Sequence, residues 1–107
     1  MLIKSKDTYK KKRESMIIHA YKINSNFSGS LIEINWNHGK IKCIKEERIY
    51  FIIKGKGKFI LNEEEHSVSA NDLVFVPKNT PYNIIGKMKY FLICSPAFNP
   101  KDDIRII

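Results

Sequence analysis

The sequence predicts an all-β domain whose strands close into a barrel with one open mouth. Helical periodicity is hard to find along the 107 residues, because apolar side chains do not recur at intervals of three and four. Short runs rich in β-branched and aromatic residues recur instead, and turn residues separate them. Many short strands at regular spacing are typical of a barrel or a sandwich.

The predicted strands follow one another closely from residue 16 onwards. They are Met16–Ile23, Ser30–Trp36, Lys40–Ile44, Arg48–Ile53, Lys58–Leu61, His66–Val68, Leu73–Val76, Tyr82–Ile85 and Tyr90–Cys94. Gly55 and Gly57 predict a bend or a bulge between the fourth and fifth strands. The last two strands are predicted to form a hairpin that is joined through Gly86 and Lys87.

The basic N-terminus is set apart from the predicted barrel. Residues 1–15 hold much of the net charge of +8 and are interpreted as an extension, while residues 16–107 form a single barrel domain. The extension could be a helix, a strand added to a partner, or disordered. The other lysines alternate with apolar residues, and no zinc finger, helix-turn-helix or RNA-binding aromatic pattern is present, which argues against nucleic-acid binding.

Cysteine usage and hydropathy predict the cellular compartment. Cys43 and Cys94 lie far apart and form no C-x-x-C pair. The N-terminal residues lack the apolar centre and the cleavage site of a secretory signal, and no apolar run approaches the length of a membrane span. We therefore expect a reduced, cytoplasmic protein with no membrane partner.

Three segments between residues 47 and 82 resemble the cupin superfamily. Residues 48–57 resemble the second half of the first cupin motif, residues 68–77 the approach to the second motif, and residues 77–82 that motif itself. With flanking strands the resemblance covers about residues 30–98 and implies a double-stranded β-helix, a jelly-roll barrel of two antiparallel sheets. Asn71 stands where the family favours glycine, and asparagine also accepts a positive φ.

The resemblance also implies a metal bound by two histidines and a glutamate of the first motif and one histidine of the second. In this sequence those four positions hold Ile41, Cys43, Arg48 and Tyr82. Isoleucine has no lone pair, and a permanently cationic arginine repels a divalent ion. We therefore predict neither a metal nor another cofactor. A one-residue shift that replaces Arg48 by Glu47 would need a β-bulge at the start of the strand.

Arg48, Tyr50, Tyr82 and Cys43 are the candidate ligand-binding residues. If the strand phases hold, the arginine and the tyrosines face the barrel interior as a cationic pocket floor. Glu46 is assigned to the preceding turn, so Arg48 is predicted to lack an internal acid and to bind a carboxylate or phosphate of the ligand. Alternatively, an acid neutralises the arginine, the tyrosines fill a closed core, and the cysteine is a small buried hydrophobe.

Three functions follow from these features. The leading prediction is a metal-free barrel that binds a small anionic molecule as a sensor or accessory module. The alternatives are a metal-independent sugar isomerase or epimerase, which needs a histidine base and a tyrosine acid, and a ligand-free barrel used for protein–protein association. The histidines His19, His38 and His66 are predicted to be exposed or structural. An inward-facing His38 or His66 would favour the enzyme, and a filled barrel the third function.

The outward side of the fourth strand predicts a homodimer. Ile49, Phe51 and Ile53 alternate with Arg48 and should therefore point away from the interior, where they need a covering layer. A second copy of the chain could supply that layer, as could another sheet of the same chain. Trp36, at a strand end, is interpreted as a core or interface residue, with stacking on a sugar as its alternative.

Overall fold

Antiparallel strands make up most of the computed structural model, which describes residues 1–106. These residues form nine strands and two short 3₁₀ turns, at Ser5–Asp7 and Pro100–Asp102. The strands are β1 (Tyr9–Arg13), β2 (Met16–Tyr21), β3 (Ser28–Asn37), β4 (Ile41–Cys43), β5 (Glu47–Leu61), β6 (Glu64–Ser69), β7 (Leu73–Val76), β8 (Tyr82–Ser95) and β9 (Asp103–Arg105). The all-β fold class is confirmed.

Two long strands, β5 and β8, hold the fold together. They span 15 and 14 residues and pair along nearly their whole length, from Glu47↔Ser95 to Leu61↔Tyr82. β8 also pairs with β3 and β4, and β5 also pairs with β6 and β7. Because both long strands belong to both layers of the jelly roll, the predicted two antiparallel sheets are continuous with each other and curl around a common interior.

The predicted hairpin around Gly86 and Lys87 is wrong. Both residues lie inside β8 and pair with Gly57 and Lys56 of β5. Gly86 has a φ of 144°, and a Cβ atom at this residue would lie 2.6 Å from the Cα atom of Gly57. The two glycines therefore let the strands approach and bend together without ending, which a turn-like sequence does not distinguish from a reversal.

The predicted bend near Gly55 is confirmed as an irregularity in the β5–β8 register. The pairing shifts between Ile52 and Lys54, and Gly55 has a φ of 86°. Asn71 has a φ of 75°, as expected of the residue that replaces the family's glycine. The glycine-rich segment therefore curves one continuous strand and does not separate two.

Both ends of the chain add edge strands that the sequence patterns did not predict. β1 pairs with β2 from Tyr9↔Ala20 to Arg13↔Met16, so the basic extension contributes a strand to the barrel sheet. β9 pairs with β4 from Ile41↔Arg105 to Cys43↔Asp103. The C-terminal segment is thereby brought beside the first cupin motif.

The core lies on the concave side of the curled sheet. Alternate residues of β3, β5 and β8 point to this side, as the period of two requires. The largest fully buried apolar and aromatic side chains are Tyr50, Tyr82, Tyr90, Phe59, Ile34, Ile52 and Ile84. In the described part of the chain, no helix has the length and hydropathy needed to cross a membrane.

The convex side carries a contiguous apolar patch, which we call the outer patch. It consists of cross-strand neighbours on β5, β7 and β8, in which Ile49 pairs with Phe75 and Ile93, and Phe51 pairs with Leu73 and Phe91. Leu73 is 60% exposed and Phe75 is 47% exposed. A patch of this kind is characteristic of an interaction surface, and we propose that a second copy of the chain covers it.

We expect light scattering to show a dimer that the double substitution Phe51→Lys/Phe75→Lys converts to a monomer. Two cations on each copy would face each other across a two-fold interface and would also remove its apolar contacts. The matched control is Lys10→Gln/Lys78→Gln, which changes two exposed residues outside the outer patch. A monomeric wild-type protein at high concentration would disprove the dimer.

Candidate functional site

A large open cavity occupies the concave side of the sheet. Its volume is about 1730 Å³. Residues of β1, β2, β3, β5, β8 and the C-terminal segment line it. Pockets for small molecules commonly measure about 300–1000 Å³. The barrel is therefore not closed and filled by its own side chains, which was the feature expected of a ligand-free barrel.

The floor of the cavity is built around Arg48, which is 2% exposed. Its Nε and Nη2 atoms donate to Oε1 of Glu46 at 3.1 and 2.8 Å, and Nη2 also donates to Oδ1 of Asp103 at 2.7 Å. The other carboxylate oxygen of Glu46 accepts a bond from the backbone N–H of Asn99 at 2.8 Å. The ring of Phe98 lies 5.6 Å from the guanidinium carbon.

The expectation that Arg48 lacks an internal acid is therefore wrong. Glu46 is 1% exposed and shares the inward face with Arg48, because residues two apart in an extended chain point to the same side. Asp103 arrives on β9 from the far end of the sequence. Two carboxylates surround one guanidinium, so the floor is not cationic and Arg48 is not an open anion site.

Two tyrosine hydroxyls connect Arg48 to the cavity. Nη1 of Arg48 donates to the Tyr82 hydroxyl at 2.8 Å, and this hydroxyl lies 2.6 Å from that of Tyr50. Tyr50 lines the cavity, whereas Tyr82 is behind it. When Tyr82 donates to Tyr50, the Tyr50 proton is free to be donated to a ligand. The three residues therefore form a chain of hydrogen bonds that ends at the cavity wall.

Burial keeps both tyrosines protonated near neutral pH. It raises the pKa of Tyr50 well above its usual value and raises that of Tyr82 to about 12, although the Arg48 charge opposes the change at Tyr82. Both hydroxyls can therefore donate a proton over the physiological range. The nearby guanidinium would stabilise a tyrosinate that forms for a short time.

His38 lines the same cavity, which is the inward position named above as favouring the enzyme. It lies between β3 and β4, and its ring stacks on that of Tyr82 with a centroid separation of 5.8 Å. Its Nδ1 atom lies 2.8 Å from the carbonyl oxygen of Gly39. Because a carbonyl only accepts, Nδ1 carries the proton and Nε2 carries the lone pair.

The surroundings of His38 favour the neutral form of its ring. Burial lowers its pKa below the ordinary value of 6.5, and the charges of Arg48 and Arg105 lower it further, against the opposite effect of the Gly39 carbonyl and Asp103. Within residues 1–106, no hydrogen-bond partner of Nε2 is present. A neutral imidazole with a free lone pair is the group that a general base requires.

Cys43 and Trp36 lie on opposite sides of their expectations: Cys43 is the small buried residue of the alternative interpretation, and Trp36 is not in the core. The Cys43 sulfur accepts a bond from the backbone N–H of Glu46 at 3.3 Å, and the residue is buried outside the cavity lining. Burial raises the pKa of its thiol, which is the behaviour of an inert cysteine. Trp36 is 68% exposed and lines the cavity, so it is not a core residue.

The four positions of the usual cupin metal ligands do not suit a metal. Ile41 offers no donor atom, Arg48 is cationic, the Tyr82 hydroxyl is bonded to Arg48, and Cys43 is bonded to the backbone. Among residues 1–106, no group of three His, Cys, Asp or Glu side chains is placed to hold an ion.

Solved structures identify the architecture. Streptomyces PAC13, described as a nucleoside dehydratase, superposes with a TM-score of 0.92 at 22% identity, covering 99% of this chain and 90% of that one. KdgF from Halomonas superposes with a TM-score of 0.83 at 9% identity, covering 94% of this chain and 96% of that one. The chain has the cupin fold. The predicted resemblance to small cupins is confirmed at this level.

Sequence comparison relates this chain to proteins without a described activity. A Methanocaldococcus jannaschii protein is 31% identical over 65 residues, which span 57% of this chain and about half (52%) of that protein. An Aquifex aeolicus protein is 27% identical over 111 residues, with 97% of this chain and 92% of that protein covered. Both are uncharacterized, and no family model matches the chain.

Sequence reasoning missed three members of the site. Glu46 could have been found, since it precedes Arg48 by two residues and the alternation of the strand extends to it. His38 lies in a turn, where no periodicity predicts its direction. Asp103 is 55 residues from its arginine partner, and no local pattern links the two.

Proposed function

We propose that this cupin is a metal-independent acid–base enzyme that removes a proton from a carbon atom of a small hydroxylated substrate. The observation that supports it best is the meeting of His38, with a free Nε2 lone pair, and the Arg48–Tyr82–Tyr50 chain at one cavity. An inward histidine is the feature that distinguished the enzyme from the binding module. A base and an acid with well-separated pKa values are the requirement for proton-transfer catalysis.

The proposed step begins at His38. Nε2 takes a proton from the carbon next to a carbonyl group, because a neutral imidazole is basic enough for a carbon acid of this kind. Tyr50 then donates its proton either to the enolate, which completes an isomerisation or epimerisation, or to a β-hydroxyl group. In the second case the C–O bond breaks and water leaves. Tyr82 returns a proton to Tyr50, and Arg48 stabilises the tyrosinate until solvent reprotonates it. His38 releases the proton taken from carbon to solvent, which restores both groups.

A nucleoside-like substrate fits the other parts of the cavity. Trp36 presents an exposed ring at the mouth, on which a planar base or the apolar face of a sugar can stack. PAC13 structures were solved with uridine after a histidine or either of two tyrosines was substituted. The present site also combines one histidine with two tyrosines, which supports a related chemistry.

Solvent-exchange measurements test this proposal directly. In D₂O, we expect protein that was treated with a metal chelator to catalyse deuterium incorporation into at least one β-hydroxy aldehyde or ketone. The panel consists of sugars and of nucleosides whose sugar is oxidised to an aldehyde or a ketone. Nuclear magnetic resonance would locate the exchanged position. His38→Gln should abolish the exchange, and His66→Gln, which changes an exposed histidine of β6, should leave it unchanged.

Two results would count against this function. Exchange that survives in His38→Gln would remove the histidine from the reaction. A chelator could also abolish the exchange, and an added transition metal could restore it. If elemental analysis then found about one metal per chain, the mechanism would be metal-dependent and not the proposed acid–base mechanism. Absence of exchange across the whole panel would favour a binding module.

A further inference from the structure

The lip of the cavity is strongly basic, although its floor is not. Among residues 1–106, eight Lys and Arg side chains line the cavity, against three Asp and Glu side chains. Arg48 is the member whose charge is neutralised by Glu46 and Asp103. The remaining positive charge is therefore concentrated at the mouth.

Strand β1 places two of these cations on the concave side. Lys11 stands opposite Ile18 and Arg13 opposite Met16, and residues directly opposite in an antiparallel pair share a face. Ile18 and Met16 line the cavity and pack against its core. Among the described residues, neither Lys11 nor Arg13 has an ion-pair partner.

Strand β8, three strands away in the same sheet, carries further positive charge at the edge of the cavity. Along the concave face the pairing runs from Arg13 to Met16, Ile34 and Met88. Lys87 and Lys89 flank Met88 and lie at the edge of the cavity, but their side chains alternate with that of Met88 and point to the convex side. A cleft lined by one sign of charge concentrates the field and attracts an oppositely charged ligand more strongly than a flat surface does.

We propose that the substrate carries a phosphate group and that Lys11 and Arg13 bind it at the cavity mouth. A guanidinium and an ammonium supply a planar fork and a point charge, a combination suited to a dianionic phosphate. The phosphate would be held away from the reacting carbon, which His38 and Tyr50 contact. This proposal rests on the proposed function for the rest of the substrate but assigns separate residues to a separate group.

Phosphate titration of the intact protein, followed by amide chemical shifts, tests the assignment. We expect saturable binding of inorganic phosphate with the largest shifts at β1, and tighter binding of ribose 5-phosphate than of ribose. Lys11→Gln/Arg13→Gln should weaken the binding of both phosphates by about tenfold or more, since each removes a charge-assisted contact. The control Lys10→Gln/Lys78→Gln removes the same charge from residues outside the cavity lining.

The possible results separate this inference from the proposed enzyme. Non-saturable shifts, or equal weakening in the test and control variants, would overturn the phosphate site. Deuterium exchange that depends on His38 would then still support the enzyme. Phosphate binding that Lys11→Gln/Arg13→Gln abolishes, in a protein without exchange activity, would support the phosphate site alone.

Discussion

Replacing Arg48 by methionine should destabilise the protein by about 3–5 kcal/mol, the cost of leaving one partner of a buried ion pair uncompensated. Glu46, whose side chain is fully buried, would lose both guanidinium bonds and its counter-charge. The bond that Arg48 makes to Asp103 would be lost as well, and with it the attachment of β9 to the cavity floor. A protein of this size should show a decrease in Tm of more than about 10 °C.

The matched control is Lys58→Met. Lys58 pairs with Glu65 at 3.5 Å, and both side chains are more than half exposed, so this substitution should change stability by less than about 1 kcal/mol. The double variant Arg48→Met/Glu46→Leu removes both charges together and should recover part of the loss. If Arg48→Met is as mild as Lys58→Met in chemical unfolding, the network does not stabilise the fold.

The fold could be predicted because its signals are local. Alternation of apolar residues located the central strands, and Leu73–Val76 was predicted with its observed bounds. The errors fall where local chemistry is ambiguous. Gly86 and Lys87 have turn composition but lie where two strands cross closely, and the basic composition of β1 hides its pairing with β2.

The site was harder to predict because long-range contacts define it. The alternation from Arg48 to Tyr50 correctly predicted two inward residues. The charge of the floor depends on Asp103, which reaches it through the β4–β9 pairing. A buried arginine must be paired with a negative charge. Because Glu46 was interpreted as a residue of an exposed turn, a bound anion was the remaining source of that charge. The sequence therefore predicted the need for a counter-charge but not its source.

Removing the Tyr50 hydroxyl should strongly lower the rate of the proposed reaction. Tyr50→Phe keeps the ring packed against Phe59 and Tyr90 but removes the proton donor at the cavity wall. Loss of a general acid lowers the rate by about 10²–10⁴-fold. Tyr82→Phe should cost less, because Tyr50 remains while its connection to Arg48 is lost. Tyr90→Phe is the matched control: this buried tyrosine also lines the cavity but lies outside the chain of hydrogen bonds to Arg48.

The pH dependence of the rate identifies the two groups separately. The pKa of His38 is lowered below 6.5, so the base is already deprotonated in neutral solution. The rate should therefore rise with pH through the lowered pKa of His38 and then level off. The acid keeps its proton far into the alkaline range, since burial raises the pKa of Tyr82 to about 12 and that of Tyr50 well above its usual value. Tyr50→Phe should lower the plateau and preserve the acidic limb. A bell-shaped profile that decreases between pH 7 and 9, or an acidic limb that is lost in Tyr50→Phe, would show that these roles are wrongly assigned.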